Sequence, residues 1–173
     1  VKESSLSAIK ALHELGIKTV MLTGDNAHTA RAIATQVQID EALGDQLPED
    51  KLRAIERYAL RGKVGMVGDG INDAPALARA DIGFAMGAAG TDTAIETADV
   101  ALMDDDLNKI ARFVRLSRTT RTVLVQNITL ALSIKAIFLV LTMLGMGTMW
   151  MAVFADMGAS LLVVANGLRL VRQ

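Results

Sequence analysis

The sequence predicts an α/β fold with a parallel sheet in its first part, followed by a hairpin of two transmembrane helices. Two observations carry this prediction. Short apolar segments alternate with segments of helical periodicity through residues 1–106, which is typical of a parallel sheet. Residues 123–168 are apolar and carry only two charges, Lys135 and Asp156. This second region is long enough for two crossings of about 20 residues each.

The elements of the first part are delimited by ordinary start and stop signals. Lys2–Leu15 has apolar residues at helical spacing, and Gly16 follows it as a C-terminal cap. Asp25 or Asn26 is placed to cap a helix over Ala27–Val37. The predicted strands are Ile17–Leu22, Val64–Gly68, Ile82–Met86 and Val100–Met103, and further helices begin near Pro48 and Pro75.

The apolar region divides into two predicted spans, 123–144 and 149–168, joined by an uncharged turn at 145–148. Arginines occur on both flanks, in 115–121 and 169–173, and none lies in the turn. Because positively charged flanks stay on the cytoplasmic side, we expect both ends of the hairpin in the cytoplasm and the turn outside.

The two charges inside the spans lie at the same predicted depth. Lys135 precedes the turn by about 11 residues and Asp156 follows it by about 10, which places both about 15 Å deep. A charge at this depth costs at least about 2.5–3.5 kcal/mol. One interpretation is a salt bridge that holds the hairpin together. The other is an ion pathway, in which the carboxylate binds a cation and the lysine occupies the carboxylate when no cation is present.

The composition limits the function further. The 173 residues carry a formal charge of −1, which gives no indication of a nucleic-acid partner. The absence of cysteine excludes disulfides and thiolate metal sites within these residues. The sequence starts at Val1 without a signal peptide, and we interpret it as part of a longer protein.

The segment "GDGIND" follows a predicted strand and has the composition of a metal and phosphate loop. Gly68 and Gly70 let the backbone turn tightly and approach a ligand. Asp69 and Asp73 supply the carboxylates that Mg²⁺ takes together with phosphate oxygens, and Asn72 can donate to a phosphate. Taken alone, a Gly-Asp-Gly segment is a common turn.

The segment "TGD" follows another predicted strand and offers complementary groups. Thr23 has a hydroxyl and Gly24 an unobstructed backbone N–H, and the following helix begins with a terminus that favours anions. Lys51 is a mobile cation that can neutralise phosphate oxygens. Since ligands bind at the carboxyl ends of parallel strands, we predict that these groups form one phosphoryl-transfer site.

Several segments of the sequence resemble a known family. The segments "MLTGDN", "LPEDK" and "MVGDGINDAPALARADIGFAMGAAGTDTAIETADVAL" are similar to the phosphorylation domain of P-type ATPases, which has a haloacid-dehalogenase-like Rossmannoid fold. Lys135 and the "DMG" of Asp156–Gly158 resemble the last two helices of the zinc/cadmium/lead class. The implied organisation is a partial phosphorylation domain at 1–106, a connecting helix at 107–122, the two spans, and a cytoplasmic tail at 169–173.

The resemblance implies roles for the front residues. Thr23 and Gly24 would hold the transferred phosphoryl group, with Asp25 in the same loop near the nucleotide. Lys51 would stabilise the phosphate and its developing charge. The magnesium and phosphate site would be completed by Asp69, Asn72 and Asp73.

The resemblance implies a transport role for the spans. Asp156 would be a ligand of the transported metal, and Lys135 a built-in counterion that helps to discharge it. The cofactors implied are Mg²⁺ and ATP, and the substrate is Zn²⁺, Cd²⁺ or Pb²⁺. The expected location is the plasma (inner) membrane of a bacterial-type cell, with the front domain in the cytoplasm. The implied partners are membrane lipid and the rest of the pump, namely its nucleotide-binding domain, its actuator domain and its other transmembrane helices.

The family's phosphorylated aspartate lies in an Asp-Lys-Thr-Gly-Thr segment, and these 173 residues contain none. We therefore expect the chain to be the C-terminal part of an ATP-driven exporter and to be inactive alone. An alternative is a non-catalytic membrane-anchored module of the same fold that associates with an intact pump. A stand-alone phosphatase with a membrane tail ranks last, since it needs a nucleophilic aspartate after a first strand.

Overall fold

The structure is a computed structural model that describes residues 3–69, 71–87 and 92–172. Lys2 of the predicted first helix, Gly70 of the "GDGIND" segment and Gln173 of the predicted tail lie outside the described residues. The chain divides into two compact units, a front unit of residues 1–112 and a rear unit of residues 113–173.

The front unit alternates helices and strands as predicted. Its helices are α1 (Glu3–Glu14), α2 (Ala27–Val37), α3 (Pro48–Ala59), α4 (Ala74–Arg79) and α5 (Asp92–Thr97). Its strands are β1 (Val20–Leu22), β2 (Glu41–Leu43), β3 (Gly65–Gly68), β4 (Ile82–Met86) and β5 (Val100–Leu102). A 3₁₀ turn over Ile71–Asp73 joins β3 to α4. β2 and α5 were not predicted from the sequence.

All strand pairs are parallel, which confirms the predicted fold class, but the described residues form two sheets where one was expected. β1 pairs with β2, and β3, β4 and β5 form the second sheet in that order. Within the described part of the chain, β1 and β3 therefore each keep one edge without a strand partner. The two sheets nevertheless share a core, because Leu22 of β1 packs against the buried cluster that contains Met66 of β3.

A polar cluster ties the amino ends of β1 and β2 to α1. The Asp40 carboxylate accepts the Thr19 backbone N–H at 2.7 Å and lies 3.0 Å from His13 Nε2. The Thr19 backbone donor, reinforced by its hydroxyl and by His13, holds the pKa of Asp40 below its usual value. This cluster lies at the strand ends opposite to the predicted phosphate loops.

The rear unit contains most of a long helix and a second helix. α6 (Asn108–Met143) has 36 residues, so it is about 54 Å long and exceeds the hydrocarbon thickness of about 30 Å. α7 (Met149–Gly167) follows a short turn, is capped by the Thr148 hydroxyl, and continues as a 3₁₀ segment over Leu168–Arg172. Both helices are long and apolar enough to cross a membrane.

Candidate functional site

The loop after β1 is closed by the side chains of the predicted motif. Thr23 Oγ1 donates to the Asp25 carboxylate at 3.0 Å, and the Asp25 backbone N–H donates back to Thr23 Oγ1 at 3.1 Å. Gly24 lies at the exposed tip, where a Cβ atom would come no closer than 3.6 Å to a neighbour, the Gln46 carbonyl oxygen. The exposed turn therefore presents its backbone at the carboxyl end of β1, where the sequence predicted it.

The loop after β2 supports this turn and was missed by the sequence analysis. The Asp45 backbone N–H donates to the Asp25 carbonyl at 2.6 Å, and its carboxylate accepts the Ala27 N–H at 3.2 Å. At Gly44 a Cβ atom would lie only 2.6 Å from Ala27 backbone atoms. Glycine at this position thus allows the two loops to pack backbone against backbone.

A signal for the second loop does exist in the sequence. The dipeptide Gly-Asp occurs at Gly24–Asp25, Gly44–Asp45 and Gly68–Asp69, in each case at or just after the end of a strand. Only the first and third were interpreted as site loops, because the strand before the second, Glu41–Leu43, has no β-branched side chain and was not predicted.

Lys51 and Asp73 form the central ion pair of the site. Lys51 lies in the first turn of α3, and Asp73 ends the 3₁₀ turn after β3. Lys51 Nζ donates to Asp73 Oδ1 at 2.7 Å, and the side chains are only 16% and 10% exposed. A Cβ atom at Gly68 would lie 2.6 Å from Asp73 Cβ, so glycine there lets the carboxylate sit against β3. The structure therefore brings together two groups that lie 22 residues apart.

Two further predicted residues lie in the same loop as Asp73. The side chains of Asp69 and Asn72 are both exposed there. Within the described residues, no hydrogen bond or ion pair joins the Thr23–Asp25 turn to Lys51 or Asp73. The site thus consists of two separately closed groups, and a ligand that spans both would have to lie between them.

The donor set fits a magnesium ion. Mg²⁺ usually takes one or two carboxylates and completes its octahedron with water and phosphate oxygens. Asp69 offers an exposed carboxylate, and Asp73 a buried one that already accepts a cation. The described residues contain no group of three or more acidic, histidine or cysteine side chains that could hold a metal ion.

The charged residues of the rear unit are not joined in this structure. Lys135 in α6 and Asp156 in α7 are both exposed, and no ion pair connects these two described side chains. The salt-bridge interpretation of the sequence is therefore not realised here. Both charges remain on helix surfaces that are otherwise apolar.

Comparisons with known proteins support the sequence interpretation. Residues 1–81 match the haloacid dehalogenase-like hydrolase family. The chain is 60% identical to a probable cadmium-transporting ATPase of Listeria monocytogenes, over 99% of its own length and 24% of that protein. It is 49% identical to a zinc/cadmium/lead-transporting P-type ATPase of Shigella sonnei, over 100% of its own length and 23% of that protein.

A solved structure agrees with these relatives. The chain matches the crystal structure of a zinc-transporting PIB-type ATPase in the E2.Pi state with a TM-score of 0.92 and 49% identity. The match covers 98% of this chain and 28% of that one, so the chain spans about a quarter of the proteins it resembles. Sequence and fold together show that the chain corresponds to the C-terminal region of P-type ATPases.

Proposed function

We propose that the chain is the C-terminal part of an ATP-driven pump that exports divalent heavy-metal cations, Zn²⁺, Cd²⁺ or Pb²⁺. The observation that carries this proposal is the Lys51–Asp73 pair at the strand ends, in a chain whose two apolar helices carry the charges Lys135 and Asp156. Phosphoryl chemistry in the front unit would drive a change of access at Asp156.

The proposed organisation follows the predicted boundaries. Residues 1–106 form part of the phosphorylation domain, 107–122 connect it to the membrane, and 123–144 and 149–168 are the spans. We place the spans in the plasma membrane of a bacterial-type cell, with the front domain and the tail at 169–173 in the cytoplasm. The arginines on both flanks of the hairpin support this orientation.

In the front unit, we assign phosphoryl binding to the backbone and hydroxyl of Thr23 and Gly24, with Asp25 near the nucleotide. Lys51 neutralises charge on the phosphoryl oxygens, and Asn72 donates to them. Asp69 and Asp73 would hold the magnesium ion, which offsets phosphate charge when bound. Asp73 also keeps Lys51 in place, since their ion pair is largely buried.

The phosphorylated aspartate would come from another part of the pump. The free edges of β1 and β3 support its placement, because one more parallel strand between them would join the two described sheets into one. The carboxyl end of that strand would lie between the Thr23 turn and the Lys51–Asp73 pair. This is the position at which a phosphoryl group can contact both.

In the rear unit, we assign Asp156 as a ligand of the transported cation and Lys135 as its internal counterion. Ionisable residues within membrane helices are costly and commonly mark ion pathways. Carboxylate oxygen alone does not complete a metal site, so the other ligands would come from the remaining helices of the pump.

The direct test is the replacement of Asp156 in the full-length protein. Asp156→Ala should reduce metal-stimulated ATP hydrolysis to the rate without metal, because the cation loses its carboxylate ligand, while nucleotide binding persists. Met157→Ala, one residue along the same exposed stretch, serves as the matched control and should retain stimulation. Undiminished metal-stimulated turnover by Asp156→Ala would remove the pathway role.

A further inference from the structure

One amide side chain connects the two helices of the rear unit. Asn166 Nδ2 of α7 donates to Asn127 Oδ1 of α6 at 2.9 Å and to Gln126 Oε1 at 3.3 Å. Its carbonyl oxygen accepts from Arg169 at 3.0 Å. A single carboxamide therefore uses both its donor and its acceptor groups. Its NH₂ group reaches two residues that lie 40 and 39 positions earlier in the chain.

These bonds lie where directional contacts are scarce. Most neighbouring side chains on both helices are aliphatic, apart from Thr129 and Ser133 on α6. Aliphatic contacts in lipid tolerate sliding because lipid tails are equally apolar. An open surface groove of about 480 Å³ adjoins the cluster and is lined by Val125, Gln126, Thr129, Leu130, Ser133 and Asn166. The amide bonds supply a geometric specificity that aliphatic contacts alone do not.

The Asn127–Asn166 bond sets which residues of the two helices lie at the same level. Counting eight residues from each of them towards the turn brings Lys135 level with Gly158. A Cβ atom at Gly158 would meet nothing within 4 Å, so α7 leaves open space at the level of Lys135. Asp156 then lies about 3 Å nearer the turn, since each residue rises about 1.5 Å.

We propose that Asn166 is a positioning residue that fixes the register of the hairpin and, through it, the level of Asp156 relative to Lys135. The inference rests on the proposed function, in which Asp156 binds the transported cation. A slip of one helical turn moves one helix by about 5.4 Å, which is longer than a salt bridge. The amide bonds thus hold the level of Asp156 at about 3 Å from that of Lys135.

The register can be measured directly because the chain contains no cysteine. The Asn127–Asn166 bond places Ile134 opposite Ala159, which is 6% exposed. In the full chain in bacterial membranes, Ile134→Cys with Ala159→Cys should form a disulfide more readily than Ile134→Cys with Val163→Cys, which lies one turn away. Equal cross-linking of both pairs in the presence of Asn166 overturns the register.

The role of the amide is tested in the same two cysteine backgrounds. Asn166→Leu should lower the ratio of the first cross-link to the second by about 3-fold to 20-fold, the range expected for interhelical hydrogen bonds in membranes. Asn166→Gln, which keeps a carboxamide, should restore part of the ratio. Arg169→Gln removes only the bond to the Asn166 carbonyl and should leave the ratio unchanged. An unchanged ratio in Asn166→Leu contradicts the proposal.

A second readout separates positioning from mere stabilisation. In the full-length protein, Asn166→Leu should raise the metal concentration for half-maximal ATP hydrolysis at least about 3-fold while the maximal rate changes less, and Asn166→Gln should reverse part of the shift. A fall in maximal rate alone would make the bond purely structural. If the unmodified protein shows no metal stimulation, the proposed function fails, while the cross-linking ratio still decides the register.

Discussion

Replacing Lys51 by methionine is expected to lower the free energy of unfolding of the front unit by about 3 kcal/mol, because Asp73 would remain buried without its cation. This value is the lower end of the usual range for breaking a buried pair, since the two side chains keep 16% and 10% exposure. This loss of stability is measured by urea unfolding of the 173-residue chain in detergent, with hydrogen exchange at the strands of the front unit as the readout.

The same substitution should slow ATP hydrolysis by the full-length protein by about 10²–10³-fold, the usual loss when one charge-stabilising donor is removed. Lys63→Met is the matched control for stability. Lys63 is also paired with an aspartate, Asp81, but it is 91% exposed. Its replacement should therefore lower the free energy of unfolding far less than Lys51→Met does.

A double variant distinguishes a buried charge from general damage. Combining Lys51→Met with Asp73→Asn removes the unpaired carboxylate and should recover at least half of the lost stability. Additive losses in the double variant, or a Lys51→Met loss no larger than that of Lys63→Met, would contradict the assignment of Lys51–Asp73 as a buried pair.

Gly44→Ala is expected to destabilise the front unit by about 1–3 kcal/mol, because the new methyl group meets backbone atoms that no side-chain rotation can move. Its Cβ would lie 2.6 Å from the Ala27 N and Cα atoms. Relief requires separation of the loop after β2 from the Thr23–Asp25 turn. Since small displacements of a reacting group are costly, ATP hydrolysis by the full-length protein should fall by about 10²-fold.

Gly62→Ala provides the control for this substitution. Gly62 also lies in a loop of the front unit, but a Cβ atom there would meet nothing within 4 Å. Gly62→Ala should change the free energy of unfolding by less than about 1 kcal/mol. The change should be stabilising, because alanine allows the unfolded chain fewer conformations than glycine does. Equal stability and activity of the two variants would show that the close approach at Gly44 does not support the turn.

The fold class could be predicted from the sequence because two strong patterns occur in it. Short apolar segments alternate with helical ones in the first part, and a long apolar region follows. β4 occupies the predicted residues, Ile82–Met86, since its apolar run is flanked by clear boundaries. β2 was missed because Glu41–Leu43 has three residues and no β-branched side chain, so its strand conformation comes from pairing with β1. Such tertiary pairing leaves little trace in local sequence.

The candidate site could be predicted only in part. The motifs locate Thr23 and Asp73 at strand ends, since a glycine-rich loop after an apolar strand is a local pattern. The contact between Lys51 and Asp73 is not local, and its burial depends on the close approach at Gly68. The support from Gly44 and the bonds of Asn166 depend on distant backbone and side-chain partners, which no spacing in the sequence indicates.

The central claim is that phosphoryl chemistry in the front unit and cation binding in the rear unit serve one transport cycle. ATP-driven uptake of Zn²⁺ or Cd²⁺ into inside-out vesicles containing the full-length protein tests it most directly. Lys51→Met and Asp156→Ala, although they lie in different units, should each reduce uptake to the level seen without ATP. Uptake by Asp156→Ala at the rate of the unmodified protein would contradict the account.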